Sequence, residues 1–251
     1  MSVSVSEMVA RPVRLDDPAE RARAVEIVAR GIPDIPHLNW LFGDLMSPRL
    51  ARWFAEIELN PKRTSGVNGA FTGSGELCGV VVWTAPDHVK VPPLPEHVEE
   101  GRELVGGNDA FMARFKENSD AEQASVPGAD VASVVLAAVA PDYRRSGVLW
   151  VALQPLIAEG RRRGLSAVVR AGDRDLADAY IRKFGAVEVG SYTLTDGPTV
   201  WVLEWEPAHA QGGRDRGCAR GGLSGACSRR TSRWTSAPPK SRCWFRCRSG
   251  R

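Results

Sequence analysis

The sequence predicts a mixed α/β domain over residues 6–207, and three observations predict it. Two stretches open with a capping side chain followed by proline, Asp17-Pro18 and Ser47-Pro48, and each leads into apolar residues at helical spacing. A continuous apolar run, Val134–Ala140, ends at Pro141 and passes through Arg144, Arg145 and Gly147 into a further helical pattern that reaches Arg163, as a buried strand turning into a helix does. Near the end of the domain two strand-like runs flank Asp196-Gly197-Pro198, a hairpin turn.

In chain order, Met8–Arg14 is expected as the first strand. Asp17 caps a helix that carries Pro18 in its first turn and ends near Arg30. Ser47-Pro48 repeats the device, and Leu50, Trp53, Phe54 and Ile57 recur at the period of a core-facing helix. Val67–Thr72 and Gly79–Ala85 are a strand pair around Gly73-Ser74-Gly75. The Pro-bounded segment 91–127 holds one expected helix, Leu104–Phe115. After the helix that stops at Gly164 come the strand Ser166–Ala171, a helix from about Asp175 to Phe184 closed by Gly185, and the strands Val187–Thr195 and Thr199–Glu206. The order is β-α-α-β-β-β-α-β-α-β-β.

The turn after Val134–Ala140 carries the chemistry. A strand that enters a helix over a glycine leaves unbonded N–H groups at the positive helix end, and Arg144 and Arg145 stand beside them. The turn is therefore either a phosphate cradle or an ordinary α/β crossover. Neither a Walker loop nor a three-glycine dinucleotide fingerprint is present. Arg144, Gly147 and Val148 after Ala-Val-Ala-Pro resemble the acetyl-CoA pyrophosphate loop of the GNAT superfamily of N-acetyltransferases, whose pattern is Q/R-x-x-G-x-G/A. The last position of that pattern is Leu149 here, and Trp150 follows where a small residue is usual. The element order is also the superfamily's. The stretches IPHLNWLFGD, GVVVWTAP and DGPTVWVLEWEP resemble segments of actinobacterial-type acetyltransferases, and the resemblance covers Ser6–Pro207.

The resemblance implies a mixed, mostly antiparallel central sheet flanked by helices. It implies direct transfer of an acetyl group from acetyl-CoA, as co-substrate and without a metal, to an amine of a small molecule or peptide. The backbone of Ala137, Ala138 and Val139 would hold the pantetheine arm and an oxyanion, and Arg144, Arg145, Ser146, Gly147, Val148 and Leu149 the diphosphate. The insertion 91–127 either shapes the acceptor pocket or is a surface excursion. In the family's Y-x-x-x-G pattern a tyrosine serves as general acid, and Ile181 occupies that slot before Gly185. Tyr180 lies one residue away, about 100° around a helix, and is read either as that acid or as a packed aromatic. Asp142, Asp173 and Asp175 read as turn and capping residues, so no carboxylate is assigned as base. The alternative function is a non-catalytic CoA-binding or regulatory domain with a degenerate loop.

Charge divides the chain in two. Residues 208–251 carry 11 Lys and Arg against one acid, about +10, while the remainder is −7, which favours encounter with a cationic acceptor. Four of the five cysteines, Cys218, Cys227, Cys243 and Cys247, lie in this Arg/Gly/Ser-rich tail, which has no hydrophobic periodicity and is expected to be disordered. Three readings of it stay open: a zinc module, a basic nucleic-acid arm, and out-of-frame translation of GC-rich DNA. The sequence of the coding DNA decides the last. Cys78 reads as a small packed residue, and Met1–Arg14 has no apolar run of the length a signal peptide needs. A cytoplasmic protein without membrane contact is expected, with nucleic acid reached only through the tail.

Overall fold

The computed structural model describes residues 7–89, 91–125, 128 and 130–206; the expectations for residues 208–251 lie outside them. Seven strands form one sheet in the order β1-β2-β3-β4-β5-β7-β6: β1 Val9–Pro12, β2 Gly66–Phe71, β3 Leu77–Thr84, β4 Val131–Val139, β5 Ser166–Ala171, β6 Val187–Thr193 and β7 Thr199–Trp205. Only β4 and β5 run parallel; every other pair is antiparallel. The expected mixed, mostly antiparallel sheet is the observed one.

Seven helices accompany the sheet in the described residues: α1 Pro18–Gly31, α2 Pro36–Phe42, α3 Pro48–Glu58, α4 Pro95–Val105, α5 Asp109–Ala124, α6 Val148–Arg163 and α7 Arg174–Phe184. The caps read from sequence are in place. Asp17 Oδ1 accepts from Ala19 N at 2.9 Å, and Ser47 Oγ from Leu50 N at 3.2 Å. Left-handed glycines, Gly164 and Gly185, close α6 and α7.

Two expectations need correction. The helix expected over Leu104–Phe115 is two helices, because Gly106 and Gly107 interrupt it, Gly107 at φ 75°, and Asn108 then caps α5 by accepting from Phe111 N at 2.8 Å. The expected order has two helices between the first and second strands, yet a third, α2, forms between them, with Pro36 in its first turn and Leu38, Leu41 and Phe42 buried.

The two faces of the sheet can be told apart at the strand pair β3–β4. Gly79 and Val139 are register partners, and a Cβ on Gly79 would lie 2.4 Å from Val148 Cγ1, so their face receives α6. The neighbouring pair Val80 and Ala138 faces the other way, where Gly31 at the end of α1 approaches the Ala138 Cβ. The α6 face gathers a core cluster that includes Leu153, Leu156, Tyr180, Leu203 and Trp205.

One ion-pair network fastens β1 to the start of α1. Glu20 accepts from Arg11 Nη2 at 2.8 Å and from Arg14 Nη2 at 2.6 Å, which, against some opposing burial, holds its carboxyl down from 4.5 to about 2. A carboxyl with a depressed folded-state pKa stabilises the fold above its unfolded value, and that contribution is lost as pH falls from about 4.5 towards 2. Glu20→Gln is therefore expected to lower the melting temperature at pH 7 and to narrow the gap from the parent as pH approaches 2. Thermal melts across that range check it.

Candidate active site

The parallel pair β4–β5 lies at the centre of the sheet and does not stay paired. Register partners exist only at Val131–Ser166, Ala132–Ala167 and Ser133–Val168, although β5 runs on beside β7 as far as Ala171. On its other side β4 shifts register against β3: Val82 faces Leu136 and Trp83 faces Val134, which leaves Val135 as an extra residue. The strands thus part at the bulge. From Val134 to Val139 the β5 side of β4 has no strand partner among the described residues. An open edge of backbone N–H and C=O groups in the middle of a sheet is able to receive an extended chain as an added strand.

Ala137, Ala138 and Val139 all lie on this open stretch, and the chain then enters the basic turn. A 3-10 turn at Pro141–Tyr143 precedes Arg144. Arg145 and Gly147 take left-handed conformations, at φ 62° and 86°, and α6 starts at Val148 with no side-chain cap. Its first N–H groups consequently have no intrahelical acceptor and point out of the positive helix end. Ser146 Oγ donates to Tyr143 O at 2.5 Å, and the Tyr143 hydroxyl donates to Glu76 Oε2 at 2.9 Å, so side chains pin the turn from both ends.

Arg144 is engaged within the chain: Nη2 meets Asp34 Oδ2 at 2.6 Å, with both side chains about half exposed. Arg145 is exposed. The bulky side chains that stand where small residues are usual are turned towards the core. Leu149 packs against the α6-face cluster, and the Trp150 ring stacks on Phe184 with centroids 4.8 Å apart and planes 11° apart. That stack joins the start of α6 to the end of α7.

Tyr180 is in the core. It is 1 % exposed and makes edge-on ring contacts with Phe184 at 5.6 Å and Trp205 at 5.5 Å. Burial pushes its phenol pKa upward, so it holds its proton across the ordinary range. Ile181 is half-buried against the same cluster. Asp173 caps α7 by accepting from Leu176 N at 3.0 Å, as its sequence context predicts, and Asp142 is exposed in the 3-10 turn. Cys78 is fully buried, donates to Ala70 O at 3.1 Å, and has its thiol pushed up to about 11 by burial.

The face opposite α6 carries polar residues that sequence reading did not single out. Arg170 on β5 donates from Nη2 to Glu122 O at 3.2 Å and from Nε to Ser125 Oγ at 3.4 Å, both at the end of α5. Asn118 donates to Glu122 Oε1 at 3.0 Å. His37 of α2 abuts the end of β5, where a Cβ on Gly172 would lie 3.2 Å from its Nδ1. Tyr192 of β6 packs on the valines Val131, Val168 and Val202 beneath. These residues are separated by up to 155 positions in sequence, and only the fold brings them together.

No family model and no curated protein matches the sequence. Solved structures do match the fold. One is a Corynebacterium glutamicum protein described as histone acetyltransferase HPA2 and related acetyltransferase: TM-score 0.56 and 20% identity over 80% of this chain and 96% of that one. Another is an agmatine N-acetyltransferase in its apo form: TM-score 0.51 and 15% identity over 80% of this chain and 99% of that one. The chain has the fold of the GNAT N-acetyltransferases.

Proposed function

We propose that the chain transfers the acetyl group of acetyl-CoA to an amine. The observation that carries this is the parting of β4 from β5 at the Val135 bulge, which opens a strand-sized edge ending at the uncapped, arginine-flanked start of α6. An extended amide-bearing arm fits the edge, and a diphosphate fits the helix start. Ala137, Ala138 and Val139 would bond the arm through their backbone. The N–H groups from Arg145 to Leu149 and the guanidinium of Arg144 would hold the diphosphate, with the Ser146 hydroxyl keeping the turn in shape. Acetyl-CoA, when bound, supplies a thioester activated for attack. The chain supplies alignment and N–H donors at the developing oxyanion.

Calorimetric titration of the chain with acetyl-CoA tests the reading, together with release of free thiol when amines are added. Micromolar binding and amine-dependent thiol release are expected; absence of binding would confine the resemblance to the fold.

One observation favours the second reading, a CoA-binding or regulatory domain without catalysis. The Trp150–Phe184 stack joins the two helices that flank the parted strands. If this contact narrows the approach to the open edge, Trp150→Ser raises acetyl-CoA affinity at least tenfold while lowering stability by roughly 0.5–1.5 kcal/mol for the lost ring pair. Unchanged affinity would show that the stack lies clear of the ligand.

A further inference from the structure

Buried polar atoms ordinarily have partners, and a cluster without them marks a place where something else supplies the bonds. On the face opposite α6, three such atoms occur on three elements. His37 Nδ1, Asn118 Oδ1 and the Tyr192 hydroxyl are each buried with no hydrogen-bond partner among the described residues. One carboxylate and one guanidinium lie near them. Glu122 is hydrogen-bonded to Asn118, Arg170 is tied to the end of α5, and both lie within electrostatic reach of His37 and of Tyr192. The floor is apolar, made by Val131, Val168 and Val202.

The cluster adjoins the parted strands. Ser133 and Val168 are the last paired residues of β4 and β5, and Arg170 is the next side chain along β5 on the Val168 face. Gly172, at the end of β5, meets His37. The segment from Gly31 to His37 therefore spans the opening: Gly31 touches Ala138 of β4, Asp34 holds Arg144, and His37 reaches Gly172. A donor arm laid along β4 from the α6 side would have its acyl end reached by an acceptor from this side.

We propose that His37, Glu122 and Tyr192 form the acceptor site for a primary ammonium on an apolar stem, and that His37 Nδ1 is the atom that takes the proton from it. The proposal rests on the acetyl-transfer reading. Glu122 attracts the cation, the valine floor receives the stem, and the Tyr192 hydroxyl supplies a polar contact. Burial lowers the pKa of His37, opposed by Glu122 and reinforced by Arg170, so the imidazole is neutral at pH 7 and able to accept. In the step itself the ammonium gives one proton to Nδ1 and the freed nitrogen attacks the thioester carbonyl. The C–N bond forms and the C–S bond breaks. The second nitrogen proton is shed as the amide forms, and the departing thiolate takes up one proton, leaving a net release of one. The positive charge of Arg170 beside the site disfavours polycations.

The test uses the full chain and the variants His37→Gln and Glu122→Gln. Calorimetry gives the acetyl-CoA Kd, and thiol release with phenethylamine, hexylamine and spermidine gives kcat and KM across a pH profile that runs from well below the ordinary histidine range, about pH 4.5, to about 9.5. Expected results are turnover of the two apolar amines ahead of spermidine and an acetyl-CoA Kd within twofold in both variants. His37→Gln lowers kcat by about 100-fold or more and removes the acid limb of the pH profile, as loss of a general base does. Glu122→Gln raises the amine KM about tenfold with kcat little changed. A parent chain that does not bind acetyl-CoA overturns the transfer reading and this proposal together. A parent that binds acetyl-CoA but turns over neither apolar amine overturns this proposal alone. So does a His37→Gln variant that keeps both its rate and its acid limb.

Discussion

Tyr180→Ala is expected to destabilise the fold by roughly 3–5 kcal/mol, the range for truncating a large buried aromatic that leaves a cavity. The ring is 1 % exposed and stands edge-on to both Phe184 and Trp205. Its surroundings have little freedom to collapse. Trp205 Nε1 donates to Phe184 O at 2.9 Å, and Ala186 N donates to Tyr180 O at 3.1 Å, so the end of α7 and the end of β7 are locked together around the ring. Urea unfolding followed by fluorescence of the tryptophans measures the loss. Tyr180→Phe separates packing from chemistry: it keeps the ring contacts and is expected to stay within about 1 kcal/mol of the parent. Amine-dependent thiol release should be unaltered as well. A variant that folds like the parent but loses 100-fold in that rate would assign the general-acid role to Tyr180.

Tyr180 also shows what a sequence reveals and what it conceals. Strands and helices whose signals are local were legible: the caps Asp17 and Ser47, the stops Gly164 and Gly185, the apolar run of β4, and the Ser166–Ala171 strand. The order of those signals was enough for the fold. Where two local signals compete, the reading slipped: Leu104–Phe115 looks like one helix until Gly106-Gly107 and the Asn108 cap are given their weight. Motif spacing placed the turn from Arg144 to Leu149 correctly at a strand-to-helix junction, but it carried no information on which way Leu149 and Trp150 point. Both face the core or α7. The polar cluster of His37, Glu122, Arg170 and Tyr192 has no spacing to recognise, because α2, α5, β5 and β6 contribute one residue each. The Asp34–Arg144 contact is hidden for the same reason, its partners lying 110 positions apart.

That contact makes the second large prediction specific. Arg144→Ala is expected to weaken acetyl-CoA binding about 10- to 100-fold, since a charge-assisted hydrogen bond contributes roughly 1.5–3 kcal/mol and about 1.4 kcal/mol is a factor of ten. Arg145, exposed and with no ion pair among the described residues to orient it, is expected to matter less. On the proposed binding, Asp34 would oppose the same ligand: its carboxylate sits 2.6 Å from the Arg144 guanidinium, where it would compete with a phosphate and add a negative charge nearby. Both side chains are about half exposed, so the pair is worth only about 0.2–1 kcal/mol. Asp34→Asn should then tighten acetyl-CoA binding by a factor of about two to five, the opposite sign to Arg144→Ala. The double variant distinguishes a contact from a coincidence. If Asp34 acts through Arg144, adding Asp34→Asn to Arg144→Ala restores little, and the two effects are not additive. Full additivity in calorimetry would mean that Asp34 repels the diphosphate directly. No effect of Arg144→Ala would remove the guanidinium from the site and leave binding to the N–H groups of the turn and the α6 start.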